Sequence, residues 1–258
     1  MQLVLDVGNT ETVVGVVDGA SDLKGHWRIS TKVPRTSDEY GYLLRGLLRE
    51  AGFDRESLTR AVVGSVVPSA TDVLRPTLEG LVDGPVFVVD PGVSLPVRLD
   101  VDEPRTVGAD RIVNTLAARE FYHRDTVVVD LGTATTYDCI TAEGVFEGGV
   151  IAPGVSAGLE WLAARTAKLP AVEFSPPVRV VGRRTETCIQ SGIFYGVVDA
   201  LDGMVDRIRQ EWGRPEALVV ATGGFAPLVG PHCRTVERVE PWLTLYGLAV
   251  AGRLLAGE

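Results

Sequence analysis

The sequence predicts an α/β protein made of two related domains, and three observations carry that reading. Runs rich in Val, Leu and Ile alternate with amphipathic stretches along most of the chain, as they do when strands and helices take turns in one fold. A strand that closes on Asp-x-Gly before a second strand occurs twice, at residues 3–10 and again at 127–134. The copies are separated by about half the chain, which marks a duplicated domain, since solenoid repeats have periods of roughly 20–50 residues.

The elements follow in order. Leu3, Val4 and Leu5 lead into Asp6-Val7-Gly8-Asn9-Thr10, and the β-branched run 12–17 ends at Asp18-Gly19, so the chain opens with a glycine-containing hairpin. Tyr40, Leu43, Leu44, Leu47 and Leu48 recur at helical spacing behind a capping candidate, which predicts a helix over 37–52. A strand over 60–67, a helix over 69–81, a short buried strand over 86–89 and a helix over 110–121 complete the first half. The second half opens with strands over 126–131 and 135–141. Gly148 to Gly154 reads as a turn leading to a helix over 156–169. A longer helical region follows over 185–208, where Gly192 and Gly196 count against continuity. A strand over 218–221 then runs into Thr222-Gly223-Gly224, and a helix over 243–255 closes the chain. The boundary is placed so that residues 1–118 form an N-terminal domain with the first hairpin, and residues 119–258 a C-terminal domain with the second hairpin and the glycine turn.

Composition narrows the classes of function. With 258 residues, 45% of them hydrophobic, the chain can bury a substantial core. A formal net charge of -9 argues against nucleic acid or an anionic membrane as partner, because such surfaces attract clustered Lys and Arg. Cys139, Cys188 and Cys233 are far apart and show no CxxC spacing, so the expectation is buried thiols in a reducing cytoplasm. No apolar run approaches the roughly 18–20 residues that span a bilayer, and nothing at the start reads as a secretory signal. His26, His123 and His232 form no metal or triad spacing.

The residues that could do chemistry cluster in a few segments. Glycine lets backbone N–H groups approach phosphate oxygens, hydroxyl and amide side chains add donors, and carboxylates hold a cation that offsets phosphate charge. One Asp-x-Gly turn would be an ordinary hairpin; a pair of them suits a nucleotide. The turn at Thr222-Gly223-Gly224 fits a backbone passing close to a base or ribose. At Gly108-Ala109-Asp110-Arg111 the acid could simply cap the following helix. Alternatively, its carboxylate could orient an acceptor hydroxyl and take its proton, with the guanidinium holding an anion.

Together the segments DVGNT (Asp6 to Thr10), PxxVGADR (Pro104 to Arg111), DLGTATTYD (Asp130 to Asp138), GGVIAPG (Gly148 to Gly154) and TAKLP (Thr166 to Pro170) resemble type III pantothenate kinases. The resemblance implies two duplicated domains of the acetate kinase, sugar kinase, Hsp70 and actin superfamily, ribonuclease H-like in fold, with an ATP cleft between them. It implies phosphorylation of pantothenate by ATP, the first step towards coenzyme A, by a cytoplasmic homodimer. By matching positions, Asp6, Val7, Gly8, Asn9, Thr10, Glu11, Thr12 and Val13 would wrap the ATP phosphates, with Asp6 near Mg²⁺ and Thr133 adding a phosphate contact. Asp130 would bind a monovalent cation, K⁺ or NH₄⁺. Gly108, Ala109, Asp110 and Arg111 would contact pantothenate, with Asp110 as proton acceptor, and Thr185 would be a further substrate contact. Two positions depart from the family: Val101 stands where an aromatic residue is common, and Arg184 where an asparagine often precedes the threonine. The alternatives are a kinase of the same broad fold for another small polyol or acid, a nucleotide-binding regulator or accessory protein that no longer catalyses, and an ATP-driven filament or chaperone-like protein of the same superfamily. The combined GADR and TAKLP segments oppose the first. The acids at 6, 110 and 130 oppose the second, and the compact length opposes the third.

Overall fold

The computed structural model describes residues 1–258. They divide into two compact units, one of Met1–Phe121, Glu143–Phe146 and Leu243–Glu258, the other of Tyr122–Ala142 and Glu147–Trp242.

In the first unit, β1 (Gln2–Val7) lies at the centre of a five-stranded sheet with β2 (Glu11–Asp18), β3 (Asp22–Ser30), β4 (Arg60–Ser65) and β5 (Val86–Val89), in the order β3-β2-β1-β4-β5. β1 runs antiparallel to β2 and parallel to β4. Leu3, Leu5, Val7, Val14 and Val16 share one face and pack with Tyr40, Leu44 and Leu48 of α1 (Ser37–Glu50) and Leu74 and Leu78 of α2 (Pro68–Glu79). The α1 cap is Thr36, whose backbone N–H donates to the Glu39 carboxylate at 2.7 Å while Glu39 N–H donates to the Thr36 hydroxyl at 3.3 Å. This reciprocal pair satisfies donors that a helix start leaves open. A two-stranded parallel contact joins β6 (Arg98–Leu99) to Val145 and Phe146.

Two further helices of this unit, α3 (Ala109–Tyr122) and α7 (Leu243–Leu255), approach each other through glycine. A Cβ added at Gly247 would lie 2.1 Å from the Val113 carbonyl oxygen. The buried Asn114 side-chain oxygen accepts from Thr244 Oγ1 at 3.0 Å in the same contact. α7 also ties back to β1, where Gln2 Nε2 donates to the Ala249 carbonyl at 3.0 Å.

In the second unit β7 (Thr126–Leu131) is central, flanked by antiparallel β8 (Ala134–Ile140) and parallel β10 (Leu218–Thr222). Adding β9 (Val145–Pro153) and β11 (Arg238–Val239) gives the order β9-β8-β7-β10-β11, the same succession of hairpin and parallel neighbours as in the first unit. Val127, Val129, Leu131, Val219 and Ala221 face Phe194, Val198, Leu201 and Val205 of α5 (Thr185–Trp212). The repeated Asp-x-Gly hairpin of the sequence is therefore a repeated sheet. α4 (Ala157–Arg165) and the single turn α6 (Ala226–Val229) complete the unit.

The structure differs from the sequence reading at several elements. β3 was not expected, although its exposure alternates along the strand. β9 occupies the segment read as a turn. α4 stops at Arg165, because Thr166 Oγ1 turns back to donate to Leu162 O at 2.9 Å and accepts from Leu169 N–H at 3.2 Å. α5 runs unbroken through Gly192 and Gly196 to Trp212, held by its buried apolar stripe. Cys139 and Cys233 are buried, but Cys188 is exposed on the first turn of α5, which corrects the expectation of three buried thiols.

Because the Gly247 contact leaves no room for a methyl group, Gly247→Ala should destabilise the protein by about 1–3 kcal/mol, the usual range for overpacking. Urea unfolding measures this, and an unchanged midpoint would show that α7 slides without cost.

Candidate active site

In the first unit the carboxylate of Asp6 sits at the second-last residue of β1, half-buried at the end of an otherwise buried strand. Strand pairing puts Val13 beside it on β2 and Gly64 beside it on β4. The turn between β1 and β2 is closed by Gly8 N–H donating to Glu11 O at 3.0 Å, and a Cβ at Gly8 would come within 3.1 Å of that oxygen. Thr12 and Thr31 hydroxyls bond at 2.8 Å, and Glu11 pairs with Arg28 at 3.0 Å. These contacts fix the hairpin while Asn9 and Glu11 remain exposed.

The same strand ends place the Gly108–Arg111 segment. Val66, just past β4, donates its N–H to Val7 O at 3.1 Å, and its side chain lies 3.2 Å from where a Gly108 Cβ would be. Gly64, in register with Asp6, leaves its Cβ position 3.7 Å from Ala109 Cβ. The first hairpin and the Gly108–Arg111 segment are thus neighbours in one unit.

Asp110 stands in the first turn of α3, where the helix N-terminus favours an anion. Its Oδ1 accepts from Arg111 N–H at 2.9 Å. A Cβ at Gly108 would meet that same oxygen at 2.4 Å, so only glycine leaves the carboxylate where it is. Burial raises the Asp110 pKa above the ordinary carboxylate value, against the lowering effect of the Arg111 backbone N–H and charge. A desolvated carboxylate with a raised pKa is a better proton acceptor than a solvated one. The Arg111 guanidinium stacks over the Phe146 ring at 4.7 Å, which fixes its plane.

In the second unit Asp130 repeats the position of Asp6, second-last on β7 with the same burial pattern along the strand. The turn after it is closed by Gly132 N–H donating to Ala134 O at 3.1 Å, and Thr133 is exposed at its tip. Two glycines press on this turn. A Cβ at Gly154 would fall 2.1 Å from Thr133 O, and one at Gly223, where φ is +87°, would fall 2.3 Å from Asp130 Oδ1. A side chain at 223 would therefore collide with the Asp130 carboxylate and with the Leu131 backbone. Thr185 is exposed at the start of α5, next to Arg184, which pairs with Glu186 at 3.6 Å. Asp6, Val7, Gly8, Asn9, Thr10, Glu11, Thr12, Val13, Gly108, Ala109, Asp110 and Arg111 belong to the first unit, and Asp130, Thr133 and Thr185 to the second. Val101 is half-buried in the first.

No three His, Cys, Asp or Glu side chains converge as a closed metal cage. Mg²⁺ with nucleotides uses one or two carboxylates together with phosphate oxygens, and Asp6 or Asp130 can supply such a carboxylate. A cavity of about 610 Å³ is lined by Arg124, Asp125, Trp212 and Arg214. It lies where β7 begins, opposite the strand end that carries Asp130, and the Asp125–Arg214 pair at 2.5 Å already matches its charges. In open α/β sheets ligands bind at the carboxyl ends of the strands, so this cavity is not the reaction site. The sequence reading missed the packing of Gly154 on the second turn. Its signal was the pair of glycines at 148–149 followed by Pro153-Gly154, read there as a turn alone.

A family model described as type III pantothenate kinase matches residues 2–207. Type III pantothenate kinases of Moorella thermoacetica and Syntrophotalea carbinolica are 44% and 45% identical to the chain over 250 residues. Each alignment covers 97% of this chain, with 98% of the first relative and 97% of the second. Among solved structures, a ROK family glucokinase from Streptomyces griseus in complex with glucose and AMPPNP is similar, with a TM-score of 0.59 at 14% identity, covering 98% of this chain and 99% of that one. The ethanolamine utilization protein EutJ from Carboxydothermus hydrogenoformans gives 0.57 at 17% identity, covering 96% and 89%. These structures establish the sugar kinase-like α/β fold, and the extent and identity of the sequence matches establish that the chain belongs to the type III pantothenate kinase family.

Proposed function

We propose that this protein transfers the γ-phosphoryl group of ATP to the primary hydroxyl of pantothenate, giving 4'-phosphopantothenate and ADP, the first step of coenzyme A biosynthesis. The observation that carries the chemistry is Asp110: a desolvated carboxylate at a helix start, held by Gly108 beside the strand ends of the first hairpin. Phosphoryl transfer asks little covalent chemistry of a protein, so its residues act mainly by positioning and by stabilising charge.

Asp110 accepts the hydroxyl proton as the oxygen attacks phosphorus, while Gly108, Ala109 and Arg111 hold the pantothenate. Arg111, kept planar over Phe146, suits the substrate carboxylate. Backbone donors from Asp6 to Val13 and the Thr133 hydroxyl hold the phosphates, and Thr185 adds a substrate contact. Asp6 would hold Mg²⁺, and Asp130 a monovalent cation, K⁺ or NH₄⁺; bound there, both ions offset phosphate charge. Residues 1–118 and 119–258 are the two copies of the duplication. The protein works as a cytoplasmic homodimer with neither nucleic acid nor membrane as partner. Its net charge of -9 supports the last point, and no helix is long and apolar enough to cross a membrane.

The direct test is ADP release with ATP, Mg²⁺ and pantothenate, in K⁺ and in Na⁺, with the product mass confirmed. Turnover that depends on pantothenate is expected, and unmodified pantothenate in both salts would overturn the substrate. Asp110→Asn should lower kcat by about 10²–10⁴-fold, the range for a general base, with ATP binding retained. Wild-type activity should also fall as pH drops through the raised pKa of Asp110. The stability effect has the opposite sign. A raised folded-state pKa favours the neutral acid, so its contribution is complete below the ordinary carboxylate value and is lost as pH rises through the folded one. Ionised Asp110 is then a cost of folding that Asn does not carry. At neutral pH the variant should melt no lower than wild type; a lower Tm with normal kcat would make Asp110 a structural cap.

A further inference from the structure

Thr222 is the last residue of β10 and is fully buried, yet its hydroxyl oxygen has no hydrogen-bond partner. Unpaired buried hydroxyls are uncommon and costly, so each asks for an explanation. Apolar neighbours of the same shape would be cheaper here. The other four residues of β10 are Leu, Val, Val and Ala.

Its position supplies the explanation. Thr222 is the parallel-register partner of Asp130, and side chains in register on adjacent strands leave the sheet on the same face. They lie opposite the face on which Val129, Leu131 and Ala221 meet α5. Directly after Thr222 the chain turns at Gly223 with φ +87° and passes so close to Asp130 that a Cβ there would lie 2.3 Å from its Oδ1. A carboxylate and an unused hydroxyl therefore occupy one strand end, with a glycine turn packed against the carboxylate.

The duplicated sheet gives an internal control. In the first unit the strand parallel to the central one is β4, and the residue in register with Asp6 is Gly64. That position has no hydroxyl, so a threonine at this point is not needed to build the sheet. It is particular to the half that carries Asp130.

We infer that Thr222 Oγ1 is an oxygen ligand for the monovalent cation at Asp130, which rests on the reading of Asp130 as that cation's carboxylate. A hydroxyl offers two lone pairs, either of which can coordinate K⁺ or accept from NH₄⁺. One carboxylate plus neutral oxygens leaves a singly charged ion better balanced than a ring of acids would. The hydroxyl also explains a preference for a weakly hydrated cation, since protein oxygens must replace the water it sheds.

Thermal unfolding with Mg²⁺ and a non-hydrolysable ATP analogue, at constant ionic strength with tetramethylammonium exchanged for K⁺, reads cation binding without turnover. Wild type should show a Tm that rises with K⁺. Thr222→Val should keep or raise the Tm in tetramethylammonium and need about tenfold more K⁺ for the same rise, the loss of one contact to a charged group. Thr222→Ser should restore the wild-type dependence. If Thr222→Val follows wild type in K⁺ while Asp130→Asn does not respond, the hydroxyl is no ligand and the Asp130 reading survives. A fall in Tm for Thr222→Val that is equal in both salts would mean that the hydroxyl holds a water or is structural. No K⁺ response in wild type, or an undiminished one in Asp130→Asn, removes the Asp130 reading itself.

Discussion

A carboxylate is tolerated at the centre of each of these sheets only because it stands where the strand is about to leave it. β1 and β7 share one burial pattern: four buried residues, a half-buried acid, and one more buried apolar residue. A charge one turn earlier would be cut off from water and would either neutralise or destabilise the strand. This single constraint fixes where each acid can stand, and the glycines follow from it. Gly8 and Gly132 open the turns, Gly108 and Gly223 clear the carboxylates, and Gly154 lets a second segment brace the turn at Thr133.

The duplication is a starting point that the two halves use differently. The order of the central strands is shared, and each acid stands second-last on its strand, but the hairpin register differs by one residue: Asp6 pairs with Val13 and Asp130 with Thr136. The neighbours of the two acids differ as well. Beside Asp6 stand Gly64 and the segment leading into Asp110, and beside Asp130 stand Thr222 and Gly223. One half thus brings a second acid close to the strand end, and the other brings a buried hydroxyl and a tightly packed glycine turn. The helix that follows each sheet edge has diverged as well: α7 belongs with the first unit although it ends the chain, pinned there by Gly247 against Val113 and by Asn114 to Thr244.

Much of this was legible in the sequence because it depends on local chemistry. Buried parallel strands read as unbroken apolar runs, and an acid followed by glycine shows where such a run ends. The family segments pointed to the type III pantothenate kinase family in the same way. What could not be read depends on distant contacts. β3 alternates exposed and half-buried residues and is fixed mainly by pairing with β2. β9 carries two glycines and a proline, turn residues by local rules, and is a strand only through its sheet neighbours. Gly192 and Gly196 would interrupt an isolated helix, but Phe194, Val198 and Leu201 bury the face of α5 around them, and packing outweighs about 1 kcal/mol per glycine. That Gly154 touches Thr133, or that Thr222 lies beside Asp130, is a matter of register, which no local pattern specifies.

The charge balance joins these features into one chemical picture. The chain carries a net charge of -9, and neither hairpin, from Asp6 to Val13 or from Asp130 to Ala134, contains a lysine or arginine. A nucleotide triphosphate brought to such turns cannot be neutralised by their side chains. On the proposed reading its charge would be met by backbone N–H groups of the turns and by ions held at a strand-end acid. Many kinases keep a lysine for this purpose. On that reading a carboxylate can hold a cation in the lysine's stead, and a neutral oxygen such as a threonine hydroxyl adds to the ion's shell without adding negative charge. On that reading the acidity of the chain and the composition of its turns point the same way, to a cation beside each strand-end acid.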